Sequence, residues 1–131
     1  LGVAAIKLGL QKKLPLGNLN ASRDWGYAKD FVEAIWLMLQ QDKPDDFVIA
    51  TGETCTVKDF CRLVFDFAEL DMDDHVVIDK KYFRPAEVEY LRGDPSKAIK
   101  ELGWKPKTTL GELAKLMYES DLDYLQTGKL S

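Results

Sequence analysis

The chain has 131 residues, 46% hydrophobic and 31% charged, with a formal net charge of −4. That balance reads as one ordinary globular domain, residues 1–131, with enough chain to bury a core. It argues against a nucleic-acid binder, because no basic face dominates, and no apolar run approaches the roughly 18 residues that a membrane span requires.

The opening, "LGVAAIKLGLQKK", starts inside a helical pattern with neither an initiator methionine nor a capping residue before it. A fragment of a longer polypeptide is the expectation; no signal peptide is read, and a cytoplasmic protein is expected. Val3, Ile6 and Leu10 predict a helix over residues 2–12, with Lys12 and Lys13 at its C-terminal end. "LPLGN" (14–18) is then a short extended piece, and "ASRDWGY" (21–27) a strand or an ordered loop. Phe31, Val32, Ile35, Trp36 and Leu39 mark an amphipathic helix over residues 28–41, ended by the turn "DKPDD". The β-branched run "FVIAT" (47–51) reads as a buried strand.

Thr56 with Asp59 three residues on is a capping-box variant, opening a helix to about residue 69 whose apolar face is Phe60, Leu63, Val64 and Phe67. "HVVID" (75–79) is a second short strand. Residues 81–93 form a long ordered connection. A helix follows with Asp94 as N-cap, Pro95 at its first position and Gly103 just past its end. Thr109 with Glu112 caps the last helix, which runs through Tyr124 before a frayed tail from residue 126. About five helices and a few short, scattered strands make the fold α+β and mostly helical.

Cys55 and Cys61, with the single His75, are too few for a zinc site within one chain, and two buried thiols are expected rather than a disulfide. Two arginines draw attention. Arg84 precedes Pro85, which bars helix and holds it extended, and Arg23 lies in "SRDWGY". Each has a carboxylate close by in sequence, Asp24 for Arg23 and Glu87 for Arg84. Two readings stay open at this level: arginines held in structural pairs with those carboxylates, or guanidinium forks converging on a diphosphate. Tyr82 and Phe83 are expected to pack the loop, Trp25 and Trp104 to anchor core or loop, Lys29 to face solvent, and Asp94 to act as a cap rather than an acid.

The stretches "GNLNASRDWGYAKDFVEAIWLMLQQDKPDDFVIATGE" and "YFRPAEVEYLRGDPSKAIKELGWKPKTTLGEL" resemble the C-terminal portion of the GDP-mannose 4,6-dehydratase family, within the extended short-chain dehydrogenase/reductases. "RDWG", "DFVIATG", "YFRPAEVE" and "LGWKP" occur in the family's order, and the likeness covers about residues 6–125. The segment 70–80 looks short for the family, and "LGVAA" departs from what usually opens its first helix. The resemblance implies that Arg23 and Arg84 contact the diphosphate of a GDP-sugar. It also implies that Glu87 lies near the guanosine ribose, and that Leu16, Gly17 and Asn18 border the nucleotide. It further implies an NADP-dependent enzyme that converts GDP-mannose to GDP-4-keto-6-deoxymannose and assembles as a homo-oligomer.

The family's coenzyme half is not found here. No three glycines have the G-x-x-G-x-x-G spacing that lets backbone approach a pyrophosphate, and no tyrosine has a lysine four residues later. NADP is therefore expected on a Rossmann core absent from these residues, with no cofactor, metal or catalytic residue on this chain. Two alternatives stand beside this reading: a GDP-sugar epimerase or reductase of the same superfamily, and a stand-alone module that binds nucleotide sugars without catalysis. Short strands completed elsewhere leave apolar surface uncovered, so marginal stability or self-association is expected of the piece alone.

Overall fold

The structure, a computed structural model, describes residues 1–128. Its elements in chain order are α1 (Gly2–Lys7), β1 (Leu14–Leu16), β2 (Ser22–Arg23), α2 (Ala28–Leu39), β3 (Cys55–Thr56), α3 (Val57–Phe67), α4 (Met72–His75) and β4 (Val76–Ile78). A 3₁₀ turn at Lys80–Tyr82, α5 (Ser96–Leu102) and α6 (Leu110–Thr127) complete it. The chain is α+β as expected, with helices outweighing a few very short strands.

The helices form two groups. In the first, Val3, Ala4 and Ile6 of α1 pack with Phe65 of α3, Ala68, Met72 and Tyr118 of α6. Parallel pairing of β1 with β4, Leu14 opposite Val76 through Leu16 opposite Ile78, lies at its edge. In the second, Ala34 of α2 meets Ala98 and Leu102 of α5 beneath Trp104, with Phe31, Leu37 and Met38 around them. Antiparallel pairing of β2 with β3 joins the groups, because β2 leads into α2 and β3 leads into α3. Trp25, just after β2, stacks on Phe60 of α3 at 4.7 Å between ring centroids and tightens the same seam.

Local capping is as the sequence predicts. Thr56 and Asp59 form a complete capping box on α3, and Thr109 and Glu112 do so on α6. Gly103 ends α5 in the left-handed conformation. Asp94 does act through its side chain, accepting from the Ser96 N–H at 3.0 Å, but α5 starts at Ser96 with Pro95 in the cap position, one residue later than expected. Trp104 is buried and Lys29 exposed, as expected.

Several expectations are overturned. α1 stops at Lys7 rather than residue 12, because Gly9 takes a positive φ of 72° and breaks the helix there. Lys13 consequently leaves the helix and donates to the Asp74 carbonyl. Residues 47–51 form no strand: the described sheets contain only the β1–β4 and β2–β3 pairs, so the run has no ladder partner, and Val48 is exposed while Ala50 is buried. On α3 the residue that enters the core is Phe65 (0% exposed), not Phe67 (39%), because helical spacing aligns Cys61, Val64, Phe65 and Ala68. Cys55 and Cys61 are free, as expected, yet only partly buried, and burial pushes both thiols above their ordinary range. Tyr82 and Phe83 are about half exposed, so they do not pack the loop down. α6 continues through Thr127, so residues 126 and 127 of the expected frayed tail are helical; residues 129–131 lie outside the described part.

Asp30, in the first turn of α2, is the buried charged residue of the second group. Its carboxylate accepts from the N–H groups of Lys107 and Thr108 at 3.0 and 2.9 Å, and its carbonyl accepts from the Trp104 indole at 2.8 Å. Burial alone would raise its pKa, but the Thr108 and Lys107 donors outweigh it and hold the carboxyl below the usual 3.8. The outer face of α2 is different. Val32, Ile35, Trp36 and Leu39 form an apolar stripe, each at least 55% exposed.

This packing can be tested in three ways. Phe65→Ala empties a fully buried site and is expected to cost about 3–5 kcal/mol of stability in denaturant titration. A group whose carboxyl is depressed on folding stabilises above its unfolded pKa and loses that contribution as pH falls through the folded one. Melting temperature should therefore drop below about pH 4, with a smaller acid drop and a lower neutral value in Asp30→Asn. Leu39→Lys and Trp36→Glu should suppress concentration-dependent self-association in sedimentation while shifting the melting temperature little.

Candidate functional site

The residues singled out from the sequence lie along one segment and the two strands it crosses. After β4 the chain makes its 3₁₀ turn and runs through residues 83–93 as a strap that bends at Pro85, Ala86 and Glu89. The turn sits directly on Gly17: a Cβ there would lie 2.6 Å from the Tyr82 carbonyl oxygen, so only glycine permits the approach. The Asp79 N–H donates to the Leu16 carbonyl at 2.8 Å, carrying the β1–β4 register one step further. Leu16, Gly17 and Asn18 thus border the start of the strap. The Asn18 side chain is used locally, accepting from the Asn20 N–H at 2.9 Å.

Further on, the strap runs beside β2. The Ser22 N–H donates to the Glu89 carbonyl at 2.7 Å, and the Leu91 N–H donates to the Ser22 carbonyl at 3.1 Å. Arg23 reaches across this junction. Its Nη1 donates to the carbonyls of Ser22 at 2.8 Å and Val88 at 2.6 Å, and its Nη2 donates to Glu87 Oε1 at 2.5 Å. The two side chains are only 23% and 20% exposed, so the pair is partly desolvated and less screened by solvent than a surface ion pair.

That pairing corrects the partners expected from sequence proximity. Glu87 orients Arg23, not Arg84, and Asp24 does not touch Arg23. Arg84 is exposed and, among the described residues, makes no hydrogen bond or ion pair. Neighbours in sequence lost to a contact across 64 residues because β2 and the strap are aligned by backbone bonds, which set side chains opposite one another.

Asp24 has a separate role that the sequence did not signal. Its Oδ1 accepts from the N–H and hydroxyl of Thr51 at 2.9 and 2.5 Å, and its Oδ2 accepts from the N–H groups of Gly52 at 3.0 Å and Gly93 at 3.2 Å. Burial would raise this carboxyl, but the donors from Thr51, Gly93 and Gly52 prevail and hold it below its ordinary range. An aspartate beside an arginine reads as its counter-ion; only the fold reveals three chain segments meeting on it.

A cavity of about 330 Å³ lies between Trp25, Thr51, Cys55, Lys107 and Thr109. None of the six predicted site residues lines it. Lys107 is already paired there with Glu33 at 2.6 Å, and no cluster of metal ligands occurs among the described residues. No helix of the described residues is long and apolar enough to cross a membrane. Among the residues leading into α2, α3, α5 and α6, no glycine-rich turn joins a strand to a helix.

The profile of the family described as GDP-mannose 4,6 dehydratase matches residues 1–117. GDP-mannose 4,6 dehydratase 1 of Arabidopsis thaliana is 57% identical over 125 residues, covering 95% of this chain and 35% of that protein. The Homo sapiens enzyme is 43% identical over 142 residues, covering 95% of this chain and 38% of its own length. Among solved structures, RMD from Pseudomonas aeruginosa complexed with NADPH superposes with a TM-score of 0.79 at 24% identity, covering 89% of this chain and 38% of that one. UDP-glucose 4-epimerase from Thermotoga maritima superposes at 0.77 with 27% identity, covering 94% and 38%. The chain thus spans well under half the length of the relatives it matches, and over that span it belongs to the GDP-mannose 4,6-dehydratase family.

Proposed function

We propose that this chain is the nucleotide-sugar-binding part of a GDP-mannose 4,6-dehydratase, which converts GDP-mannose to GDP-4-keto-6-deoxymannose. The observation that carries the reading is the strap. One segment holding Arg84 and Glu87 is bonded to Leu16 at one end and to Ser22 and Arg23 at the other. Residues far apart in sequence that the family resemblance assigns to one ligand therefore share one ridge of the surface.

On this reading Arg23 and Arg84 hold the diphosphate through charge-assisted hydrogen bonds. Arg23 is preorganised by its carbonyl and Glu87 contacts, so little side-chain freedom is lost on binding. Glu87 stands beside the ribose, and the backbone of Leu16, Gly17 and Asn18 borders the base. The sugar projects beyond the ridge, where the relatives carry the rest of the enzyme. This chain's contribution is positioning: binding energy spent on the nucleotide orients carbons that react elsewhere. NADP belongs to that other part, in the cytoplasm and in a homo-oligomer of the whole enzyme.

An epimerase or reductase acting on a GDP-sugar would use the same anion site. The 57% identity to a dehydratase, against 27% to an epimerase structure, favours the dehydratase.

Titration calorimetry of the whole enzyme with GDP tests the site. Each of Arg23→Ala and Arg84→Ala should weaken binding by about 10- to 150-fold, the loss of one charge-assisted contact of roughly 1.5–3 kcal/mol. Unchanged affinity in both variants rejects the assignment. Product analysis with GDP-mannose separates dehydration from epimerisation.

A further inference from the structure

We infer that Asp24 is the positioning residue that sets the spacing between the strand bearing Arg23 and the strap bearing Glu87 and Arg84; this rests on the diphosphate reading above. Arg23 ends β2 and Asp24 follows it directly, and the two side chains give the strap two clamps. Arg23 holds it at Glu87 and Val88, and Asp24 holds it at Gly93. Between the clamps, Glu89 and Leu91 bond to Ser22.

The Gly93 clamp admits no slack. A Cβ at Gly93 would lie 2.2 Å from the Ala50 side chain, so the strap backbone presses against residue 50 as its N–H turns to Asp24. The same carboxylate takes the N–H groups of Thr51 and Gly52, which fixes the loop after residue 50 to the same point. Arg92 then donates from Nε to the Gly52 carbonyl at 2.5 Å, and Thr54 donates its hydroxyl to the Leu91 carbonyl at 3.0 Å. Loop and strap are thereby tied to each other as well as to Asp24. Removing the carboxylate frees the strap at the end nearest these ties and lets Glu87 and Arg84 shift against Arg23.

The chemistry of the carboxamide makes Asp24→Asn a selective test. The new side chain could accept Thr51 through its oxygen, but its amide nitrogen would face the Gly52 and Gly93 donors and repel them. In the full-length enzyme, Asp24→Asn should weaken GDP binding about tenfold and raise KM for the sugar nucleotide far more than it lowers kcat. Its effect should shrink to less than about twofold in an Arg23→Ala background, since the two residues act on one contact. Thr51→Val removes the hydroxyl that donates to Asp24 and accepts from the Glu53 N–H but keeps the Thr51 N–H bond; it should produce a smaller loss of a few-fold and keeps the question answerable where Asp24→Asn does not fold.

Wild-type GDP affinity in Asp24→Asn, or an equal loss with and without Arg23, overturns the inference. So does unchanged affinity in Thr51→Val when Asp24→Asn fails to fold, because Asp24 then serves stability alone. Unchanged affinity in Arg23→Ala alone overturns this inference, whereas unchanged affinity in both Arg23→Ala and Arg84→Ala rejects the diphosphate reading itself.

Discussion

The backbone of Ser22 and Arg23 is held on both sides at once, by β3 across residues 55–56 and by the strap across residues 89–91. A two-residue strand has no stability of its own. This one persists because it lies between two neighbours, with nearly every polar group of its backbone in use. The consequence falls on the Arg23 side chain, whose root is fixed on both edges and whose fork is then fixed by two carbonyls and a carboxylate. Long, flexible cations usually lose rotamer freedom when they grip a ligand. Here folding has already removed it.

The two candidate arginines are therefore unlike each other, and the difference has an electrostatic meaning. Arg23 is compensated by Glu87 in a partly buried pair, whereas Arg84 stands exposed with no anionic partner among the described residues. Long-range attraction of an anion depends on uncompensated charge, so on the proposed reading Arg84 supplies the pull at first encounter. Arg23 supplies geometry at short range, where its preset fork matters more than its net field. An arginine at each role suits a ligand that arrives from solvent and must stop in one orientation.

What could be read from the sequence follows the range of the interaction. Both capping boxes and the glycine end of α5 depend on residues three or four apart, and they form as the residues dictate. The helix expected over 28–41 forms over 28–39 and the strand expected over 75–79 forms over 76–78, though the apolar stripe that marked the helix faces outward and Asp30 and Ala34 are its buried residues. Residues 47–51 have the composition of a strand, but a strand is a relation between two chains, and the second is missing from these residues. Arg23 finding Glu87 rather than Asp24, and Asp24 finding Thr51, Gly52 and Gly93, are contacts set by the register of distant segments. Local sequence names the charged residues of the site without naming their partners. Phe65 displacing Phe67 is a smaller lesson: both fit a helix, and a shift of two positions rotates the buried face by more than half a turn.

The two helical groups differ in what holds them. The group around Phe65 is an ordinary apolar core, drawing on four helices and two strands. The group around α2 meets α5 through alanines, Ala34 and Ala98, both fully buried, so the helices approach closely but bury little side-chain volume between them. Trp104 is buried beside them with Phe31, Leu37, Met38, Phe47 and Ile49 packed around the group, and its indole donates to the Asp30 carbonyl. The Asp30 carboxylate ties the 107–108 turn to α2, and the Asp24 carboxylate ties the loop before β3 to the strap. Hydrogen bonds to buried carboxylates have steep directional requirements that hydrophobic contacts lack. The half of the chain carrying the α2 side is thus specified by polar geometry more than by packed volume. That suits a surface whose task is to hold an arginine and a strap at fixed separation, and it leaves the outer stripe of α2 free of any part in holding them.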